Sequence, residues 1–284
     1  MVIASLCINQ VQVVKKHLDD AFHIKDLGPL KFFLGLKVAK NSKGINLTQR
    51  KYTLKLLEEA GFLECKPAKT HMATSSRLSR TTGNTLQNIT QYRRLVGKLL
   101  YLTITRPDIC YATQQLPQFL DCRTDEHLQA AHRVLRYVKA APGQGLFLST
   151  SSSLLIKGFS DSDWIAGLDT RKSVTGFCIF LDKTLVSWKS RKHTISRSSF
   201  EDEYTALGSA ACEIQWLVYL LQDLEVNVDS PAMSYYDSKS AIAIAENPVF
   251  HERTKHIEIQ CHLVRKKLQR HIEIITCHHH QPTG

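Results

Sequence analysis

The sequence predicts an α/β fold with a mixed sheet, and three observations carry that prediction. From Leu154 onward, strand-like runs at Leu154 to Ser160, Gly176 to Leu181 and Thr184 to Trp188 are separated by tight turns. A helix-like run follows from Ser199 to Leu224. Beyond it come a strand at Ala232 to Tyr236, helical stretches at Lys239 to Glu246 and from about Arg253 to Gln269, and a last strand at Ile272 to Thr276. Strands, a helix, a strand, more helix and a strand make an α/β order with parallel and antiparallel neighbours in one sheet.

The elements before Leu154 read as follows. Val11 to Phe22 is a helix with Val14, Leu18 and Phe22 on one stripe. Leu27-Gly28-Pro29 is a turn. Leu30 to Val38 is a strand-like apolar run, Asn41-Ser42-Lys43-Gly44 a turn, and Ile45-Asn46-Leu47 the start of a returning strand, which makes a hairpin. Thr48 stands where a cap for the helix Lys51 to Ala60 would lie, and Gly61 ends that helix. Thr70 to Asn88 is rich in Ser, Thr and Arg and reads as a linker or long loop. Tyr92 to Thr103 is helical, and Arg106-Pro107-Asp108 breaks it. Asp125 to Ala140 is a helix with Leu128, Ala131, Leu135 and Val138 on one face, closed by Ala141-Pro142-Gly143.

Bulk properties narrow the function. With 284 residues, 43% of them hydrophobic and 22% charged, the chain is long enough and apolar enough to build one large core or two modest ones, which excludes a disordered tail. The formal net charge is +11, and such a balance favours polyanion partners, chiefly nucleic acid. Eight cysteines stand at irregular spacing without a Cys-x-x-Cys pair, a pattern of reduced thiols rather than of a disulfide frame. Cys277-His278-His279-His280 has no matching ligand pair and reads as a frayed terminus. No apolar run approaches bilayer length, and Met1 to Ile8 lacks a basic region before its short apolar run. The expectation is an intracellular protein of cytoplasm or nucleus with no membrane partner.

Three acidic residues occupy positions that suit metal-dependent chemistry. Asp161 follows a strand-like run in Gly158-Phe159-Ser160-Asp161-Ser162-Asp163-Trp164, Glu203 opens a helix-like run in Ser198-Ser199-Phe200-Glu201-Asp202-Glu203-Tyr204, and Asp237 ends a strand-like run in Met233-Ser234-Tyr235-Tyr236-Asp237-Ser238. Two-metal phosphodiester cleavage needs carboxylates converging on ions about 4 Å apart. Mg²⁺ prefers carboxylate and water oxygens. On composition alone these would be ordinary surface acids; the order strand–Asp, helix–Glu, strand–Asp shifts the balance.

Residues 158 to 276 resemble the RNase H domain of copia-type retrotransposon polyproteins. The resemblance is carried in order by Gly-Phe-Ser-Asp-Ser-Asp-Trp (158–164), Arg-Lys-Ser-Val-Thr-Gly-Phe-Cys (171–178), Val-Ser-Trp-Lys-Ser-Arg-Lys (186–192) and Ser-Arg-Ser-Ser-Phe-Glu-Asp-Glu-Tyr (196–204), then Asp-Ser-Lys-Ser-Ala (237–241) and Asn-Pro-Val-Phe-His-Glu-Arg-Thr-Lys-His-Ile-Glu (247–258). Upstream, Phe22 to Gly28 and Lys31 to Gly35 are similar to the end of the palm of a copia-type reverse transcriptase. Tyr92 to Leu102, Thr105 to Ile109 and His132 to Lys139 are similar to the connecting region.

The resemblance implies a ribonuclease H-like mixed sheet with flanking helices over 151–284. A partial reverse-transcriptase palm/thumb remnant would precede it over 1–72, and a helical connector over 73–150. It implies hydrolysis of RNA in an RNA–DNA hybrid, with Asp161, Glu203 and Asp237 matching three of the family's four ligands for Mg²⁺ or Mn²⁺. Asp163 and Glu201 are close rivals: Asp163 shares a strand face with Asp161, whereas Glu201 points elsewhere on a helix that bears Glu203. Glu203 is preferred because the family's Glu precedes the Tyr.

Two departures from the family are expected to matter. A Tyr-Val-Asp-Asp hairpin should precede Phe22-His23-Ile24-Lys25, whereas Asp19-Asp20 here follows Leu18 within a helix, so DNA synthesis is expected to be absent. The family's Gln-Pro-Ala-Asp-like stretch opens another helix, whereas here Gln281-Pro282-Thr283-Gly284 puts Gly284 in place of the Asp. A truncated copy lacking its last helix, with impaired cleavage, is the resulting expectation. A catalytically dead nucleic-acid-binding remnant is the alternative, and a product with no stable fold a third.

Arg171, Lys172, Lys189, Arg191, Lys192 and Arg197 crowd one part of the domain near Trp164 and Trp188, where they would track the phosphates of a hybrid read through its A-form shape and 2′-OH groups. The plainer account is a solvated basic strand edge. Lys255, Arg265, Lys266 and Lys267 read first as a solvated helix face. The stripe Trp216, Leu217, Leu220 and Leu221 reads as core, and Ser198-Ser199 as a helix cap.

Overall fold

The structure, a computed structural model, describes residues 1–5, 7–73, 78–163, 169, 172–192, 199–226, 228, 231–236 and 272–276. Helix α1 spans Ile8–Phe22 and buries none of its residues. Strands β1 (Phe32–Phe33), β2 (Leu36–Asn41) and β3 (Gly44–Thr48) form antiparallel hairpins. The apolar run Leu30 to Val38 is therefore not one strand. Leu34 and Gly35 both take positive φ, at 46° and 75°, and turn the chain back on itself. The second turn is tied by the Asn41 side chain, whose Oδ1 accepts from the backbone N–H of Lys43 and of Gly44, each at 2.9 Å.

Strand β4 (Gly145–Ser149) completes this sheet by pairing with β3, so its order is β1-β2-β3-β4. A Cβ at Gly44 would fall 2.1 Å from the carbonyl oxygen of Leu148, so the close approach of the two backbones requires glycine there.

Helix α2 (Arg50–Glu59) buries Thr53, Leu56 and Leu57. Thr48 does not cap it. Gln49 holds the N-cap position without a capping bond, because its side chain is used elsewhere: buried, it donates to Tyr101 O at 3.2 Å and accepts from the Thr105 hydroxyl at 2.9 Å. Helix α3 (Ile89–Leu102) is capped by Asn88, which accepts from Gln91 N at 3.1 Å, and it buries Tyr92, Leu95, Val96, Leu99 and Leu102 at helical spacing. A 3₁₀ turn at Pro107–Ile109 leads into α4 (Cys110–Gln115), and α5 (Asp125–Ala140) begins at a capping box between Thr124 and His127. Leu56 and Leu57 of α2 share one core with Tyr92, Leu99, Ile109, Leu116, Leu135 and Val138.

The second sheet holds β5 (Ile156–Asp163), β6 (Val174–Leu181), β7 (Thr184–Lys192), β8 (Ala232–Tyr236) and β9 (Ile272–Thr276) in the order β7-β6-β5-β8-β9. The first three are antiparallel; β8 runs parallel to β5, and β9 parallel to β8. This is the expected mixed sheet with a flanking helix. Helix α6 (Ser199–Asp223) lies on one face, where Ala210, Ala211, Ile214 and Val218 pack with Ile156, Phe177, Ile179, Ala232 and Ile272. The two sheets meet where α4 and β4 lie against β7. The Trp188 indole N–H donates to Thr103 O there at 3.2 Å. The expected helices at Lys239 to Glu246 and Arg253 to Gln269 lie outside the described residues. Among the described residues no helix is long and apolar enough to cross a membrane.

Candidate functional site

Register and connectivity decide which end of the second sheet carries the acids. Asp163 at the end of β5 is paired with Val174, and Val174 with Lys192 at the end of β7. Six residues separate Lys192 from Ser199, so α6 starts at that same end and runs back along the sheet. Further down, Ile214 sits over Gly158: a Cβ on that glycine would fall 2.7 Å from Ile214 Cδ1. The first turn of α6, with Glu201, Asp202 and Glu203, thus lies at the same end of the sheet as Asp161 and Asp163.

The strand alternates as its sequence demands. Ile156, Gly158 and Ser160 are buried towards α6, whereas Phe159, Asp161 and Asp163 are exposed on the opposite face. Asp161 Oδ1 accepts from the backbone N–H of Ser162 at 2.7 Å. Phe159, two residues before it, stacks on Tyr235 with centroids 4.8 Å apart and meets Phe180 edge-on at 5.8 Å.

Glu203 is half-buried and shares a helix stripe with Leu207, Ala210 and Ile214, the stripe that faces the sheet. Glu201 is off that stripe, as its spacing predicts. So Asp161 and Glu203 lie towards one end of the sheet, Glu203 on the helix that covers one face and Asp161 on the opposite face of β5. Asp202, to which the sequence drew no attention, is fully buried, and only helix phase and burial single it out. Asp237 follows Tyr236, the last residue of β8, and lies outside the described residues. Among the described residues, no group of three or more His, Cys, Asp or Glu side chains is assembled to hold a metal. The donors that Asp161 and Glu203 offer are hard carboxylate oxygens, which suit Mg²⁺ or Mn²⁺ in kind.

Of the basic residues, Lys189 and Arg191 are exposed on β7, opposite Phe177 and Thr175. They stand on the α6 side, with Ser187, whose hydroxyl donates to Glu213 of α6 at 2.8 Å. The strand spacing sets them two strands from β5, about 10 Å away. Trp188 alternates to the other face. Lys172 is half-buried just before β6, and Lys192 closes β7. Arg171 and Arg197 lie outside the described residues.

A family model described as reverse transcriptase (RNA-dependent DNA polymerase) matches residues 1–74. The chain is 39% identical over 254 residues to a retrovirus-related Pol polyprotein from transposon RE1 of Arabidopsis thaliana, covering 89% of this chain and 17% of that one. It is 34% identical over 263 residues to the retrovirus-related Pol polyprotein from transposon TNT 1-94 of Nicotiana tabacum, covering 89% and 20%. It is also 34% identical over 205 residues to a putative transposon Ty5-1 protein of Saccharomyces cerevisiae, covering 71% and 67%. The chain thus spans a fifth or less of the Pol polyproteins it matches.

Solved structures similar to it include LC11-RNase H1 in complex with RNA/DNA hybrid, at 14% identity and a TM-score of 0.34 over 43% of this chain and 84% of that one. A foamy viral protease-reverse transcriptase in complex with dsDNA gives 15%, 0.31, 47% and 84%. The strand order stands without these superpositions.

Proposed function

The chain belongs to the copia-type retrotransposon Pol family, and from that membership we propose that residues 151–284 act as an RNase H-type unit that hydrolyses the RNA strand of RNA–DNA hybrids. Residues 1–72 would be the end of a reverse-transcriptase unit and 73–150 its connector. The observation that carries the reading is the common rim: β5 delivers Asp161 to the end of the sheet where α6 begins with Glu203.

In this reading Asp161, Glu203 and Asp237 would hold Mg²⁺ or Mn²⁺. When bound, such ions activate water and stabilise the leaving 3′ oxygen of a phosphodiester. The chain's own residues do the rest. Asp161 is oriented by the Ser162 N–H, and Glu203 is carried on a helix locked to the sheet through Leu207 and Ile214. Lys189, Arg191 and Lys172 offer positive charge to the phosphates, as would Arg171, Lys192 and Arg197.

The test is a labelled RNA–DNA hybrid incubated with the purified chain and Mg²⁺ or Mn²⁺, beside Asp161→Asn. Metal-dependent cleavage lost in the variant supports the reading, and equal cleavage by both refutes the assignment of Asp161. A second reading, a nucleic-acid-binding remnant without turnover, draws on the net charge of +11 and the exposed Lys189 and Arg191. It expects hybrid binding that weakens steeply with salt, and no cleavage by a protein that unfolds cooperatively.

A further inference from the structure

The connection from β5 to β6 leaves and returns at the rim that carries Asp161, because β5 ends at Asp163 directly opposite Val174. Asp169 of that loop reaches out to the helical region. Its Oδ1 accepts from the Ser79 hydroxyl at 2.8 Å and its Oδ2 from the backbone N–H of Arg80 at 2.8 Å. A carboxylate that accepts on both oxygens is fixed in orientation as well as position, and charge-assisted bonds are the stronger kind.

The anchor is itself fixed. The Arg80 guanidinium is paired with Asp121. Asn84 donates its backbone N–H to Asp125 Oδ1 at 2.8 Å and its amide to Oδ2 at 3.3 Å, and Asp125 N–H returns to Asn84 O at 2.9 Å. Thr85 bridges Thr124, and Leu86 N–H donates to Arg123 O at 3.1 Å. Gly83 has φ +81°, and a Cβ there would fall 2.3 Å from Asp125 Oδ1, so this strap lies directly against the first turn of α5. Residues 79–86 therefore move with α5.

We propose that Asp169 is a positioning residue: by tying the β5–β6 loop to the strap on α5, it sets where Lys172 stands at the Asp161 end of the sheet, so that the connector fixes one phosphate contact of a bound hybrid. The identity of that polyanion rests on the RNase H-type reading; the tie does not.

Backbone amide exchange of the full chain, free of nucleic acid, tests the tie. Asp169→Ala should speed exchange in peptides containing residues 169–173 by roughly tenfold, while peptides of β6, β7 and α5 keep their rates. Asp169→Asn, which keeps one acceptor oxygen, should fall between. Unchanged exchange in Asp169→Ala overturns the proposal. Positioning is read from binding of a fluorescent RNA–DNA hybrid. Asp169→Ala and Lys172→Ala should each weaken it roughly fivefold, the order of one exposed ion pair. The double variant should bind no more weakly than Lys172→Ala alone, since a displaced Lys172 and a missing one are equivalent. Losses that multiply would overturn the positioning role. A wild-type chain that binds no hybrid would refute the RNase H-type reading, and the exchange result would still decide the tie.

Discussion

Replacing Arg106 with alanine should cost the protein about 3 to 5 kcal/mol, the usual loss when one partner of a buried ion pair is removed. Arg106 is 1% exposed. Its Nε donates to Asp108 Oδ1 and Oδ2 at 2.9 and 3.2 Å, its Nη2 to Oδ2 at 2.7 Å, and its Nη1 to Ala141 O at 3.0 Å. The guanidinium also lies 5.7 Å from the centroid of the Tyr137 ring. Alanine would strand a carboxylate and a carbonyl together. The Asp108 side chain keeps 22% of its exposure, so water relieves part of the penalty and the lower end of the range, about 3 kcal/mol, is expected.

For a chain of this length that corresponds to a fall in Tm of roughly 5 °C. Arg106→Lys keeps the charge but not the planar fork, and should lose roughly half as much. The assay is urea and thermal unfolding by circular dichroism across pH.

The sign of the pH effect follows from Asp108. Burial pushes its carboxyl up, but the hydrogen bonds and the charge of Arg106 outweigh burial and hold it below its ordinary value. A depressed carboxyl contributes stability that is present above the unfolded pKa, about 3.9, and is lost as the pH falls through the folded value. The gap between wild type and Arg106→Ala should be full at neutral pH and narrow as the pH falls below about 4 towards the folded value. A loss under about 1 kcal/mol at pH 7, or a gap unchanged at pH 3, would refute the reasoning.

Burial holds the His127 imidazole below its ordinary pKa; it stacks on Phe119 at 3.9 Å, and its Nδ1 accepts from Thr124 N at 2.9 Å. Its contribution should be complete above about pH 6.5 and decline as the pH falls from there towards the folded value. The slope of urea midpoints between pH 7.5 and 5.5 should therefore shrink in His127→Asn, and an equal slope in both proteins would count against this account. Gly158→Ala forces its Cβ onto Ile214 Cδ1 and should cost about 1 to 3 kcal/mol. Ile214→Val removes that methyl and should recover part of the loss, so additive losses in the double variant would exclude the clash.

Much of the fold was legible in local pattern. Asp125 to Ala140, Ala232 to Tyr236 and Ile272 to Thr276 have the bounds their sequence predicts. Strands β5 and β7 run further than expected, to Asp163 and Lys192, because their last residues are polar and only the ladder with β6 keeps them extended. Strand β4 escaped notice because its partner, Gly44–Thr48, is remote in sequence and Gly145–Ser149 has no alternation of its own.

At the candidate site, the order of Asp161 and Glu203 along the chain was readable. Their placement on opposite faces of β5 was not, since it depends on which face α6 covers. The burial of Asp202 shows in the sequence only as helix phase, and the tie from Asp169 to Ser79 depends on non-local packing and leaves no mark in sequence spacing.

The pairing of β3 with β4 also bears on how the chain is made. A ribosome adds about 5 to 20 residues per second, so β3 waits roughly 5 to 20 s after emergence before its partner strand exists. Throughout that interval the free N–H and C=O groups of Gly44 to Thr48 present an open edge between Ile45 and Leu47, which other nascent chains on the same message can template. Translation slowed between these strands should therefore raise the aggregated fraction, whereas slowing after Ser149 should leave this edge already closed.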